Sequence, residues 1–167
     1  MHKASDRRNW KGLSICSFAL LDTTIAITKR ETHFHRHMTQ LIEYEDSSDE
    51  VRAVYDDIRA TRKTDEINNF WKALANHPPT LQRTWQTVKE VMTSPGELDP
   101  LIRELIYIAV SVTNGCEYCI ASHTSAAYAK GMSDNMFGEL MAIVATANTT
   151  NRLANGYRIP VDERFKT

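Results

Sequence analysis

Apolar residues recur every three or four positions from residue 50 onward, which is the spacing of one face of an α-helix. No segment shows the strict alternation of apolar and polar residues that is typical of a half-buried strand. The pattern predicts helices over residues 50–62, 67–75, 81–92, 101–113, 116–130 and 134–155. We therefore expect an all-α fold.

Turn and capping residues divide these helices. Short polar side chains can accept a hydrogen bond from the first turn of a helix, and they mark four of the predicted starts. These residues are Ser47 or Ser48, Thr80, Asp99 and Ser133. Pro78 and Pro79 are expected to end the second helix. Asn114-Gly115 should separate the fourth helix from the fifth, and Lys130-Gly131 should end the fifth.

Composition narrows the class of protein. The chain has 167 residues, 42% of them hydrophobic and 25% charged, which suits a globular domain with its own core. A net charge of −1 implies no general affinity for nucleic acid. No apolar run approaches the roughly 20 residues that a membrane-spanning helix needs. Three cysteines are too few for a secreted disulfide scaffold, so a cytoplasmic protein is the preferred interpretation.

The first 37 residues differ from the rest. They carry seven Lys or Arg against three Asp or Glu, and four of the six histidines. The mostly apolar residues 13–27 follow a basic stretch, as in a signal peptide, but Asp22 interrupts them and no small-residue cleavage site follows. The alternating histidines of residues 33–37 could bind a metal, although a polar extension is preferred. We expect an N-terminal extension over residues 1–37 and a helical domain over 38–167, with Met38 as an alternative natural start.

The segment NGCEYCIASH, residues 114–123, holds two cysteines three positions apart and a histidine one turn later. At about 100° per residue, Cys116, Cys119 and His123 fall on one face of a helix. A thiol pair at this spacing can close to a disulfide, and an imidazole and a helix N-terminus both favour a thiolate. A lone core cysteine is the plainer interpretation, but this three-residue arrangement favours redox chemistry.

Glu104 interrupts the apolar pattern of its helix. If the helices on either side of Asn114-Gly115 form an antiparallel hairpin, Glu104 and His123 are equally distant from the turn and lie side by side. A carboxylate there could orient the imidazole or pass protons. The simpler alternative is a surface ion pair between Glu104 and Arg103.

A zinc site is the main rival to a redox pair. Cysteine, histidine and glutamate are all acceptable zinc ligands, so Cys116, Cys119, His123 and Glu104 form a possible set. Structural zinc usually connects loops of small domains, whereas this pair lies in a well-patterned helix. A redox dithiol without metal or cofactor is therefore preferred.

Residues 98–133 resemble the core of the alkylhydroperoxidase D (AhpD)-like branch of the carboxymuconolactone decarboxylase superfamily. The family pattern is a glutamate, a CxxC twelve residues later and a histidine four residues after the second cysteine. Glu104, Cys116, Cys119 and His123 match that pattern one by one. The flanks over 70–85 and 151–163 are similar to those of the peroxidase-related subgroup.

The resemblance implies an AhpD-like helical fold with the CxxC at the start of a helix in an antiparallel helical hairpin. It also implies a thiol-dependent alkyl hydroperoxide reductase that forms a homo-oligomer, either a trimer or a hexamer. In such an enzyme Cys119 attacks the hydroperoxide, Cys116 closes the disulfide, and Glu104 and His123 relay protons. A lipoyl or thioredoxin-like thiol protein restores the dithiol.

One position departs from the family pattern. The best-known members have a histidine immediately before the second cysteine, where this chain has Tyr118, a poor proton acceptor at neutral pH. Tyr118 is therefore only a possible part of the relay. Two alternatives stay open, a CxxC disulfide oxidoreductase with little peroxidase activity and a non-enzymatic oligomeric domain with a vestigial or zinc-filled site. Residues 136–147 are expected to help bury the oligomer interface.

Overall fold

The computed structural model describes residues 39–166, and over this range the chain forms helices and no strand. The helices are α1 (Asp49–Arg62), α2 (Asn69–Leu74), α3 (Pro78–Thr93), α4 (Pro100–Asn114), α5 (Glu117–Ala129) and α6 (Asp134–Gly156), followed by a 3₁₀ turn (Glu163–Phe165). The all-α prediction is confirmed. The expected extension over residues 1–37 lies outside the described range. None of the helices within that range is long and apolar enough to cross a membrane.

Three helix starts follow the sequence prediction. Ser48, Asp99 and Ser133 each accept a hydrogen bond from a backbone N–H in the first turn, at 3.4, 2.8 and 3.2 Å. The prediction that Thr80 caps α3 is wrong. That helix begins at Pro78 with His77 as its N-cap, because proline suits the first helical positions, where no N–H is needed.

Helices α1, α2 and α3 enclose a first core. The Trp71 and Trp85 rings meet edge to face at a centroid distance of 5.4 Å. The Trp85 indole N–H donates to the Asp57 carboxylate at 2.6 Å, so the polar end of this large ring is satisfied. The buried apolar residues of this core are Val51, Val54, Tyr55, Ile58, Ile67, Trp71, Ala75, Leu81 and Trp85.

Helices α4, α5 and α6 form a second core, which holds the CxxC segment. Ile108 of α4 and Ala127 of α5 are fully buried against each other, together with Met132. Phe137 and Leu140 of α6 pack onto this cluster. The small side chain of Ala127 leaves room for α4 and α5 to pack closely.

Arg103 ties the loop between α3 and α4 to the start of α4. Its guanidinium donates to the carbonyl oxygens of Val91, Ser94 and Leu98 at 3.0, 2.8 and 3.0 Å. The alternative in which Arg103 pairs with Glu104 is therefore wrong, because these carbonyls engage the guanidinium while Glu104 turns inward.

Candidate functional site

The turn between α4 and α5 sets the position of both cysteines. Gly115 has a φ of 68°, in the left-handed region that favours glycine, and it ends α4. The chain then reverses, and the Cys116 N–H donates to the Ser111 carbonyl at 3.0 Å. Cys116 is the N-cap of α5, and its Sγ accepts from the Cys119 N–H at 3.4 Å. A thiol therefore stands where a serine or aspartate usually caps a helix.

The two thiols differ in acidity. Hydrogen bonds from the Cys119 thiol and backbone N–H lower the pKa of Cys116. Burial raises the pKa of Cys119 to about 11, and the neighbouring Cys116 adds to that rise. The first proton to leave the reduced pair therefore comes from Cys116, and the Cys119 S–H donates to the resulting thiolate.

Glu104 and His123 lie side by side, as the hairpin argument predicted. The distance from His123 Nδ1 to Glu104 Oε2 is 2.6 Å, and Lys130 Nζ lies 2.9 Å from Glu104 Oε1. The Glu104 side chain is only 7% exposed. Burial raises its pKa, but hydrogen bonds from His123 and Lys130 outweigh that effect and leave the pKa below the ordinary value.

This contact also selects one tautomer of His123. Because a carboxylate can only accept, the Nδ1–H donates to Glu104 and leaves Nε2 of a neutral ring as a proton acceptor. No hydrogen bond within residues 39–166 joins the imidazole to either cysteine. The expected reach of His123 to Cys119 is thus not a direct hydrogen bond.

Tyr107 lies between the imidazole and the open side of the site. Its ring stacks on the His123 ring at a centroid distance of 3.6 Å and an angle of 18°. Tyr107 lines the same surface cleft as the two cysteines, whereas His123 does not. The stack therefore covers one face of the imidazole.

That cleft, which we call the cysteine cleft, has a volume of about 670 Å³. Cys116 and Cys119 lie in its lining, and most of the other lining side chains are apolar. The remaining lining residues are Val91, Met92, Glu97, Leu98, Arg103, Ile106, Tyr107, Val110, Ser111 and Asn114. An apolar cleft that reaches two thiols can bind an apolar molecule next to them.

Tyr118 points to another part of the molecule. Its hydroxyl accepts a hydrogen bond from the Phe70 backbone N–H at 3.2 Å, and the two rings lie 6.1 Å apart. Tyr118 thus connects α5 to α2, and it is not part of the cysteine cleft lining.

The four possible zinc ligands form two pairs. Cys116 contacts Cys119, and Glu104 contacts His123. Among residues 39–166, no three His, Cys, Asp or Glu side chains come together closely enough to hold a metal ion. The zinc alternative would require these two pairs to converge.

Comparison with known proteins agrees with this architecture. The sequence pattern of the carboxymuconolactone decarboxylase family matches residues 79–162, about half of the chain. The matched range contains α4 and α5 and all four residues of the two pairs. The chain belongs to the carboxymuconolactone decarboxylase family. An uncharacterized protein of Cupriavidus necator is 35% identical to this family member over 83 residues, which are 50% of this chain and 73% of that protein.

A crystal structure shows the same fold. The alkylhydroperoxidase AhpD core of Rhodospirillum rubrum is 49% identical to this family member, with a TM-score of 0.75. The match covers 79% of this chain and 98% of that one. This carboxymuconolactone decarboxylase family member therefore has the AhpD-like helical fold that the resemblance implied.

Sequence reasoning missed two members of the site in this family member. Neither Tyr107 nor Lys130 was predicted to belong to the site, yet Tyr107 stacks on His123 and Lys130 pairs with Glu104. The spacing of these two residues from Glu104 and His123 could have indicated their place in the site. Tyr107 follows Glu104 by three residues and Lys130 follows His123 by seven, so each shares a helical face with its neighbour.

Proposed function

We propose that the protein reduces hydroperoxides with the Cys116–Cys119 dithiol and that a thiol protein then reduces the disulfide. One observation carries this proposal. At the N-terminus of α5 the Cys119 backbone N–H donates to Cys116 Sγ, and both thiols line an apolar cleft. The similar AhpD core is an alkylhydroperoxidase, which supports the same chemistry.

The different acidities of the two thiols support separate roles for Cys116 and Cys119 in the reaction. Hydrogen bonds from Cys119 lower the pKa of Cys116, so the first thiolate of the reduced pair forms on Cys116. We assign the attack to Cys119, with the Cys116 thiolate taking up its proton as the attack begins. Once the proton has moved, Cys116 is neutral and no longer opposes a charge on Cys119. The less stabilised thiolate is also the stronger nucleophile.

The atoms and electrons balance over two steps. The Cys119 sulfur bonds to the terminal oxygen of the hydroperoxide, the O–O bond breaks, and an alkoxide leaves and is protonated to an alcohol. Cys116 then attacks the sulfur of the sulfenic acid, which releases water and closes the disulfide. The dithiol loses two electrons and two protons, and the hydroperoxide becomes an alcohol and water.

Glu104 and His123 support the second step. Cys116 must lose its proton again before it can close the disulfide. The Nδ1–H of His123 is held by Glu104, so Nε2 is available to accept that proton. With no direct hydrogen bond to the thiols among the described residues, we route this transfer through water in the site.

The lining of the cysteine cleft favours an alkyl hydroperoxide over hydrogen peroxide. Apolar walls gain little from a small polar molecule, whereas they bind a hydrocarbon group. A lipoyl or thioredoxin-like thiol protein is the proposed reductant, because thiol–disulfide exchange would return both cysteines to the reduced state.

The test uses the Cys16→Ser background, so that the third cysteine contributes no thiol. The reduced protein should lose two thiols for each tert-butyl hydroperoxide consumed. With Cys116→Ser, sulfenic acid should be trapped on Cys119, more slowly at neutral pH and faster as the pH rises, because burial still raises the pKa of Cys119. With Cys119→Ser, no sulfenic acid should form.

The contrary outcomes separate the alternatives. Sulfenic acid that forms only in Cys119→Ser would assign the attack to Cys116 and keep the function. Intact thiols after exposure to hydroperoxide, together with rapid disulfide exchange, would favour the disulfide oxidoreductase, which the acidic N-cap thiol of Cys116 suits. Neither reaction, with zinc found by elemental analysis, would favour the non-enzymatic domain.

A further inference from the structure

We infer that Tyr107 is a further catalytic residue, whose hydroxyl gives a proton to the oxygen that leaves when the O–O bond breaks. This inference rests on the proposed reduction of hydroperoxides. It names a donor for the proton that the departing alkoxide needs. The Cys119 proton has already passed to Cys116 at that stage.

Tyr107 lies where a bound hydroperoxide would meet it. It lines the cysteine cleft together with Cys116 and Cys119, so a hydroperoxide that reaches the sulfurs also meets this side chain. The stack on His123 fixes the plane of the ring, with a centroid distance of 3.6 Å. A side chain held in this way needs little reorganisation to meet the leaving oxygen.

The Tyr107 hydroxyl is an available proton donor. It has no hydrogen-bond partner among residues 39–166, so the donor is available to a bound molecule. Burial raises the pKa of Tyr107, and the charges of Cys119, Cys116 and Glu104 raise it further. The phenol therefore keeps its proton at neutral pH.

Acidity separates Tyr107 from the other hydroxyl donor and the amide donor of the cysteine cleft. Ser111 and Asn114 also line it, but an aliphatic hydroxyl and an amide are far weaker acids than a phenol. An alkoxide is about as basic as hydroxide, so its conjugate acid is far weaker than a tyrosine phenol, whose ordinary pKa is about 10. Proton transfer from Tyr107 to the alkoxide is thus downhill.

Bonds, electrons and protons all balance in this step. The S–O bond forms at Cys119 as the O–O bond breaks, and sulfur is oxidised while the peroxide is reduced. The phenol proton passes to the alkoxide and makes the alcohol. The tyrosinate then regains a proton from water in the open cleft, and no further oxidant or reductant is needed.

Tyr107→Phe isolates the hydroxyl, because phenylalanine keeps the ring that stacks on His123. The reduced variant is mixed in single turnover with tert-butyl hydroperoxide, which expels an alkoxide, and separately with peracetic acid, which expels a carboxylate that needs no proton. We expect the first reaction to slow by about 100-fold, the lower end of general acid catalysis. The second reaction and alkylation by iodoacetamide should stay near the wild-type rates.

Tyr128→Phe is the matched control, since its hydroxyl bonds Asp134 at 2.8 Å and does not line the cysteine cleft. It should leave all three rates unchanged. Equal slowing of both oxidants in Tyr107→Phe would overturn the inference and leave Tyr107 as a support for His123, and unchanged rates would overturn it too. A wild-type protein that reacts with neither oxidant would instead remove the proposed function itself.

Discussion

The buried Glu104 side chain stays ionised because His123 and Lys130 donate hydrogen bonds to its carboxylate. Burial alone would favour the neutral acid, but hydrogen bonds from His123 and Lys130 lower the pKa of the carboxyl group. A carboxyl group with a lowered folded-state pKa stabilises the protein at any pH above its unfolded value, about 4.3. That stabilisation is lost as the pH falls through the folded-state pKa.

The role of Lys130 follows from this balance and can be tested. Lys130→Met leaves one oxygen of a buried carboxylate without its partner, so we expect the free energy of unfolding at pH 7 to fall by about 1–3 kcal/mol. The loss should shrink as the pH falls, because a protonated Glu104 needs no cation. Urea unfolding between pH 7 and 3 measures this, a range that extends below the ordinary pKa of the carboxyl group, with Lys130→Arg as the control that keeps the charge. An equal loss at every pH would contradict the electrostatic role.

At the scale of helices, Tyr118 connects two elements. Its hydroxyl accepts from the backbone of α2, so Tyr118→Phe should lower the free energy of unfolding by about 0.5–1.5 kcal/mol. It should barely alter the rate of thiol alkylation as a function of pH. Glu104→Gln should alter that profile more, because it removes the charge that orients His123. A larger change in Tyr118→Phe would return the tyrosine to the proton relay.

The turn between α4 and α5 depends on the backbone of one glycine. A Cβ atom at Gly115 would meet no neighbouring atom within 4 Å. The only cost of a side chain there is the left-handed backbone conformation that it would have to adopt. Gly115→Ala should therefore cost about 1–2 kcal/mol of unfolding free energy. Gly138→Ala, inside α6 and equally free of clashes, should instead stabilise by about 0.5–1 kcal/mol. Thermal melts of the two variants that shift in the same direction would contradict this account.

At the scale of the whole molecule, the exposed apolar surface extends beyond residues 136–147, the stretch expected to help bury an interface. In residues 136–147, Phe137, Leu140 and Met141 pack within their own chain, and Ile143 is the large apolar residue left exposed, at 66%. More apolar surface lies beyond that stretch, where Tyr157 is 78% exposed. The remaining exposed apolar residues from there on are Leu153, Ile159, Val161 and Phe165. The outer side of α6 and the segment that follows it therefore offer an apolar surface for assembly.

We predict a homo-oligomer that uses this surface. Light scattering at micromolar concentration should give a mass that is a multiple of 19.0 kDa, with three or six chains as the resemblance implies. Ile143→Lys should lower that mass by placing a charge in the interface. Ala60→Lys, on the exposed side of α1, is the control and should leave it unchanged. A monomeric wild-type protein would contradict the prediction.

Much of this protein could be predicted from the sequence, because much of it depends on residues near one another in the chain. Helical periodicity predicted six helices, and short polar residues marked the starts at Ser48, Asp99 and Ser133. The contact between Glu104 and His123 also followed from the chain, since a tight hairpin brings together residues equally distant from its turn.

Only the tertiary structure decided the features that depend on burial and on contacts between separate elements. The stack of Tyr107 on His123 and the hydrogen bonds from Arg103 to backbone carbonyls of α3 and the following loop arise where separate elements meet. The difference in pKa between Cys116 and Cys119 could not be predicted from the sequence either. The spacing places both thiols on one helix but does not show which of them is buried. Periodicity is a property of a segment, whereas burial and electrostatics are properties of everything packed around it.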